Sequence, residues 1–347
     1  KVTTSSSVGA AAAAAAVAAS LDTPVPLAFI NTFLSVRDLL ALRAVNRNCL
    51  CILPLHTREL VGTKLNDPRA LPLLATYFPH VTTFTLHGCK LPDEALRHAL
   101  ECIADKWTQL RALTLSTIWY LKDAHVHLCS QRYSATLESL VITHCYQIKT
   151  PTIECPRLRH LSIQNCFFTQ FGAETHFPML QELRIESQVL STPHVRHLIK
   201  RTLVKSAAPP LQVLSLANCG AVTQVLIDPI ELPSLKTLDL KSCHGLERVH
   251  VASQSLENLS LSLCVELQHV ILDLGKVQSV DLSYLKAMTH LFLRAESLQA
   301  LSLVGCNQIE MQHLKVSCPE LQFAYLSGAN VKLEDLNSME QDMTIVS

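Results

Sequence analysis

Residues 211–219 read Leu211-Gln212-Val213-Leu214-Ser215-Leu216-Ala217-Asn218-Cys219, with aliphatic residues at the first, fourth and sixth places and a cysteine at the ninth. The same ladder returns at Leu235/Leu238/Leu240/Cys243, Leu256/Leu259/Leu261/Cys264 and Leu298/Leu301/Leu303/Cys306. Upstream it occurs at Val81/Phe84/Leu86/Cys89, Leu137/Leu140/Ile142/Cys145 and Leu158/Leu161/Ile163/Cys166. Four further copies, starting at Leu110, Leu180, Val277 and Leu321, keep the aliphatic triplet and carry Ile118, Gln188, Leu285 and Ala329 at the ninth place. One such unit cannot close a core by itself. Stacked units bury a continuous one, each adding a short strand to a parallel sheet. The expected fold class is an α/β repeat solenoid of about eleven repeats over residues 81–336.

Strand alternation turns places four and six inward, so Leu259 and Leu261 are both expected in the core, while places three, five and seven line the sheet surface. The middle column of that surface is mostly small and polar: Thr85, Thr114, Val141, Ser162, Arg184, Ser215, Asp239, Ser260, Asp281, Ser302 and Tyr325. Two groups interrupt it. One is His160, Gln164, Glu182, Arg184 and Glu186, which reads equally as a recognition patch or as a ladder of paired cross-strand neighbours. The other is Phe323 and Tyr325 with Asp281, where end-capping by Leu333 and Leu336 competes with binding. The opposite face depends on repeat length. Long repeats hold helices, at Asp93–Lys106 with Leu96, Leu100 and Ile103 inward and at Pro193–Lys205 with Val195, Leu198 and Ile199 inward. Repeats of 21 residues hold short strands instead, at Leu246/Val249/Val251, Leu267/Val270/Leu272 and Met288/Leu291/Leu293. With strands on both faces, residues 211–320 are expected to curve less than the first half.

Lysine plus arginine equals aspartate plus glutamate, 29 of each, which argues against nucleic acid or an anionic membrane as a charge-recruited partner. The longest apolar run, Ala10–Ala19, is too short to span a bilayer. Of thirteen cysteines, seven stand at the ninth repeat place. Cys155 and Cys318 each precede a proline just before a repeat. That is a packing pattern of reduced thiols, which points to a cytosolic or nuclear compartment. The chain starts at Lys1 rather than methionine, as a fragment or processed form would. Residues 1–20 are Ser- and Ala-rich without an acidic residue, and read as a disordered tail or the remnant of an organelle transit peptide. Residues 337–347 form a C-terminal tail.

Residues 21–60 are expected to be two or three short helices, with Ser35 or Asp38 capping the second, and residues 61–80 a connector with a helix over Pro68–Tyr77. The first of these segments resembles an F-box: Pro24 and Pro26, Ile30-x-x-x-Leu34, Asp38-Leu39 and Leu42-x-x-Val45-x-Arg47 follow that family's pattern. Val25 and Cys49 stand where the family has an acidic residue and a tryptophan. Followed directly by cysteine-containing leucine-rich repeats, whose known form is a right-handed horseshoe with a concave parallel sheet, the segment makes the chain similar to the F-box/leucine-rich-repeat family. The resemblance implies a substrate receptor of a Skp–cullin–F-box ubiquitin ligase. It implies that Pro26, Leu27, Ile30, Leu34, Leu39, Leu42 and Val45 meet a Skp-type adaptor. The protein substrate would lie on the repeats, with His160, Gln164, Glu182, Arg184, Glu186, Asp239, Asp281 and Tyr325 as the candidate contacts. The alternative is a structural subunit whose helices only cap the solenoid and whose repeats meet neighbouring subunits of a large assembly.

Enzymatic and cofactor motifs are not found. Cys49-Leu50-Cys51 has no second ligand pair at zinc-site spacing. His125-x-His127 and His194-x-x-His197 have no carboxylate or thiol at ligand spacing and read as solvated histidines. Nine glycines form no phosphate loop, and no Gly-x-Ser-x-Gly elbow occurs. No cofactor is expected.

Overall fold

The computed structural model describes residues 57–203, 210–331 and 344–345. The expected N-terminal tail, the F-box-like helices up to residue 56, Leu333, Leu336 and most of the C-terminal tail lie outside the described residues. The chain divides after Gln147 into two compact units. No helix among the described residues is long and apolar enough to cross a membrane.

Each of the eleven ladders forms a strand. In the first unit β2 (Thr83–His87), β3 (Ala112–Ser116) and β4 (Ser139–Thr143) pair in parallel, with Phe84 opposite Leu113 and Leu113 opposite Leu140. Ahead of them β1 (Glu59–Thr63) pairs with β2, Leu60 opposite Phe84. This strand is a twelfth rung, in the stretch where the sequence suggests only helices and a connector. Its ladder is Thr57/Leu60/Gly62/Leu65, so two of three aliphatic places are lost. A Cβ on Gly62 would lie 2.6 Å from Leu65 Cδ1: the bulky ninth residue occupies the volume that a sixth-place leucine fills elsewhere.

The return segments of this unit are helices. α1 (Ala70–Tyr77) buries Leu71, Leu74 and Ala75. α2 (Asp93–Lys106) has the expected bounds and buries Leu96, Leu100 and Ile103, and its Asp93, Glu94 and Lys106 complement the helix dipole. α3 (Asp123–Arg132) is not anticipated, because its buried face is made of His125, Val126, Cys129 and Ser130 rather than an aliphatic stripe.

In the second unit the front strands form two parallel groups. β5 (His160–Gln164), β6 (Glu182–Glu186), β7 (Val213–Ser215), β9 (Thr237–Asp239) and β11 (Asn258–Ser260) make one. β13 (Ser279–Asp281), β15 (Ala300–Ser302) and β17 (Phe323–Tyr325), with the two-residue β18 (Thr344–Ile345) paired beyond it, make the other. Behind them β8 (Gln224–Ile227), β10 (Arg248–Ser253), β12 (His269–Leu274), β14 (His290–Ala295) and β16 (Leu314–Ser317) form one uninterrupted parallel back sheet. The expected back strands are β10, β12 and β14; β8 and β16 extend them on either side.

The helix expected over Pro193–Lys205 is shorter. α4 (Thr192–His197) passes into a π-helix, Leu198–Leu203, and Val195, Leu198 and Ile199 are buried as expected. The repeat that starts at Leu158 has neither helix nor strand behind it. A chain of Phe168, Phe171 and Phe177, the first pair tilted and the second edge-on with centroids 4.8 and 5.2 Å apart, fills that side instead. These parallel, in-register strands over a leucine core are a leucine-rich-repeat solenoid.

Two features repeat along the ladder. At the eighth place the N–H donates to the seventh-place carbonyl of the next repeat, as from Gly88 to Ser116 (2.9 Å), Ser242 to Ser262 (2.9 Å) and Gly305 to Ser327 (2.9 Å). The backbone turns left-handed there, with φ +68° at Gly88 and +72° at Gly305 but also +54° at Thr117 and +61° at Tyr284, a region costly for residues with a Cβ. At the ninth place the thiol donates backwards: Cys243 Sγ to the Leu216 carbonyl (3.1 Å), Cys264 to Leu240 (3.1 Å) and Cys306 to Leu282 (3.0 Å). Cys89, Cys145, Cys219, Cys243, Cys264 and Cys306 of the ladder are free thiols. Burial pushes the Cys264 and Cys306 thiols up to about 11 and that of Cys219 to about 12, so they stay protonated as hydrogen-bond donors. A cysteine is small enough to fit between rungs and polar enough to satisfy a buried carbonyl.

Candidate interaction surface

The front face of the second unit brings the first sequence-predicted group together. His160 stands opposite Glu182, Ser162 opposite Arg184 and Gln164 opposite Glu186. His160 Nδ1 lies 3.1 Å from Glu182 Oε2, and Arg184 Nε donates to Glu182 Oε1. Partial burial raises the Glu182 carboxyl, but the Arg184 hydrogen bond and charge, with His160, outweigh it and hold the group below its usual range. Glu186 Oε1 accepts from Asn218 Nδ2 at 3.0 Å. Both carboxylates are therefore engaged by the chain's own donors, and the exposed members of the group are His160 and Arg184.

Asp239 and Asp281 are also engaged by their own turns. Asp239 accepts from the Lys241 N–H (3.0 Å) and the Ser215 hydroxyl (3.1 Å), and Asp281 accepts from the Ser283 N–H (2.9 Å). An aspartate at the fifth place thus ends a three-residue strand by capping the seventh-place N–H. Tyr325 and Phe323 are exposed on β17, and the leucines expected beside them are not among the described residues.

Sequence reasoning missed the tenth place, one beyond the cysteine. In the first unit it carries Trp119, 60% exposed, and Tyr146, 58% exposed, with Tyr120 beside the first. Lys90, the tenth residue of the preceding repeat, sets its ammonium 4.9 Å from the Trp119 ring centroid. In the second unit the same place holds exposed Phe167, Val189 and Val265. Following the period one column further would have found them, and large exposed aromatics are the residue types that anchor protein interfaces.

Two of the histidines expected to be solvated, His125 and His194, are structural. His125 is 3% exposed. Its Nδ1 accepts from the Lys122 N–H (3.0 Å), capping α3, and its Nε2 lies 3.2 Å from the Asp93 carbonyl on α2. Lys122 Nζ meets Asp93 Oδ2 at 2.6 Å. His194 repeats the device on α4, its Nδ1 facing the Ser191 N–H at 3.3 Å. An open groove lies over the first of these, lined by Asp93, Arg97, Lys122, His125 and Gln131. Burial lowers the His125 pKa, against the pull of the Asp93 carbonyl and carboxylate. As pH falls the unfolded chain binds the proton first, near the ordinary histidine value of about 6.5. The cap's stability is thus complete above that pH and lost below it. In the His125→Gln variant the N3 side chain can still reach back to the N-cap, and the fall in urea midpoint between about pH 7.5 and about pH 5.5 is expected to be shallower than in the parent. Equal slopes in the two proteins would refute the role.

Among the described residues no group of three or more His, Cys, Asp or Glu is placed to hold a metal ion.

No family model and no curated protein matches the chain. Among solved structures it is similar to one of the Rad7 and Elc1 complex in yeast, at 15% identity, 97% coverage of this chain, 93% of that one and a TM-score of 0.39. It is similar to the leucine-rich repeat domain of the type III effector XopL, at 18% identity, 83% and 86% coverage and a TM-score of 0.39. A third likeness is to the TLR13–ssRNA13 complex, at 15% identity, 86% and 62% coverage and a TM-score of 0.26. Likenesses this distant carry no inference about what the chain binds, and the repeat architecture rests on its own strand register.

Proposed function

We propose that the chain is a non-catalytic interaction module, the substrate receptor of a Skp–cullin–F-box ubiquitin ligase. In this reading Pro26, Leu27, Ile30, Leu34, Leu39, Leu42 and Val45 engage a Skp-type adaptor, and the repeats hold the protein to be modified. The carrying observation is the order of the chain: an F-box-like pattern runs straight into a regular solenoid whose thiols and front-face carboxylates are spent on its own backbone and side chains. Such a protein acts through effective concentration, keeping a substrate lysine beside a conjugating enzyme borne elsewhere in the complex. The exposed aromatics at Trp119, Tyr120 and Tyr146 support a protein partner.

The internally paired front face favours a second reading, a rigid spacer between subunits of a large assembly. Co-expression of the full chain with a Skp-type adaptor decides between them. A stoichiometric complex is expected with the parent, and loss of it with Leu39→Asp/Leu42→Asp, while the circular dichroism of the solenoid is unchanged. Identical behaviour of parent and variant would remove the ligase reading.

A further inference from the structure

The solvent face of the back sheet carries two adjacent columns of unlike chemistry. Along one edge Arg248 stands opposite His269, and His269 opposite His290. The His269 and His290 rings lie 4.3 Å apart, and His290 and His313 stack at 3.9 Å, 16° from parallel. Two residues further along each strand runs a second column, Leu226, His250, Ile271, Phe292 and Lys315. Ile271 and Phe292 face each other there and are exposed. A shallow groove opens between Gln224, Leu226, His250 and Ile271.

Like charges directly opposite on neighbouring strands repel, so this imidazole column is comfortable only while most of it is neutral. Burial first, then His290, Arg248 and His313, hold His269 below the usual imidazole range. Two nearby carboxylates are engaged or aligned elsewhere. Glu310 lies 3.3 Å from His313, and Asp273 stands opposite Arg294 in the third column. The Thr289 hydroxyl occupies His290 Nδ1 at 2.8 Å. Among the described residues neither His269 nor His290 has a carboxylate partner.

We propose that this face is a proton-linked docking surface for an acidic peptide segment carrying apolar side chains. The apolar groups cover Ile271 and Phe292, while the carboxylates neutralise Arg248 and Lys315 and hold His269 and His290 protonated. An uncharged apolar partner would bury the two fixed cations unpaired, and a basic one would be repelled. The proposal deepens the binding reading above and rests on it only in that the chain binds protein; it does not require the adaptor.

The probe is a short fluorescein-labelled peptide of repeated Glu-Leu-Glu-Phe units, titrated with the full chain by fluorescence anisotropy. Binding is expected to tighten about tenfold from about pH 7.5 to about pH 6. His269→Gln/His290→Gln is expected to flatten that dependence. Phe292→Ser, on the exposed side of β14, is expected to weaken binding several-fold at both pH values. A peptide with lysine for glutamate should not bind. No binding at either pH, pH-independent binding by the parent, an unchanged affinity in Phe292→Ser, or equal affinity for the lysine peptide would each overturn the proposal. A chain that still holds the adaptor and a substrate but ignores the peptide refutes this face alone. A chain that binds the peptide but no adaptor refutes only the ligase reading.

Discussion

Trp107→Ala is expected to destabilise the first unit by about 3–5 kcal/mol, as large-to-small changes at fully buried aromatics do. The side chain closes the C-terminal end of α2, with none of its surface exposed. Its ring meets Phe84 of β2 edge-on, centroids 4.8 Å apart at 61°. Its Nε1–H donates to the Phe78 carbonyl at 2.7 Å, tying α2 to the end of α1. Packing and hydrogen bonding can be separated. Trp107→Phe keeps much of the volume but withdraws the indole N–H from a buried carbonyl, for an expected loss of about 1–3 kcal/mol. Urea denaturation followed by circular dichroism reads both. A loss under 1 kcal/mol in the alanine variant would mean that the site collapses freely and that Trp107 does not tie α2 to the sheet. A neutral phenylalanine variant would confine the residue's contribution to shape.

What the sequence made legible follows from how each element is built. Where core contacts are aliphatic and periodic, as at Leu214/Leu216 or Leu96/Leu100/Ile103, pattern and structure agree closely. β1 escaped because Gly62 and Leu65 exchange their usual sizes, leaving a rung without a recognisable ladder. α3 escaped because a buried histidine and cysteine stand where leucines mark a helix elsewhere. The surface was less legible for a physical reason: a side chain's place in a column says that it points outward, not what it touches. Asp239 and Asp281 read as contacts for a partner, yet each caps its own turn. Glu182 and Arg184 read equally as patch or ladder, and Glu182 is reached along its own strand by Arg184 and from the neighbouring strand by His160. Trp119 and Tyr146 lay in plain view, one column beyond the last place the periodic reading used.

Leu261→Ala and Leu259→Ala, which strand alternation makes equivalent, are expected to differ, with Leu261→Ala costing about 2–5 kcal/mol and Leu259→Ala clearly less. Leu261 is 1% exposed, whereas Leu259 is only partly buried, although its counterparts Leu238 and Val280 on the neighbouring front strands are fully covered. The front sheet is interrupted beside it, between β11 and β13. Leu240 N–H donates to the Ser260 carbonyl and Leu282 N–H to Ser302, each at 2.9 Å, but among the described residues no hydrogen bond joins β11 to β13. The Leu263 N–H accordingly lacks the seventh-place acceptor that its counterparts at Ser242 and Tyr284 have. Continuity at this point is carried by the back sheet, where β10, β12 and β14 pair over six residues each. Buried aliphatic area stabilises in proportion to the surface removed from water, so the half-open front leaves Leu259 less to lose. Urea midpoints of the two variants, with hydrogen exchange at the β13 amides as a second readout, test this together. Equal losses, with β13 amides as protected as those of β15, would mean that the front sheet is closed in solution. A larger loss for Leu259 would reverse the assignment of which leucine fills the core.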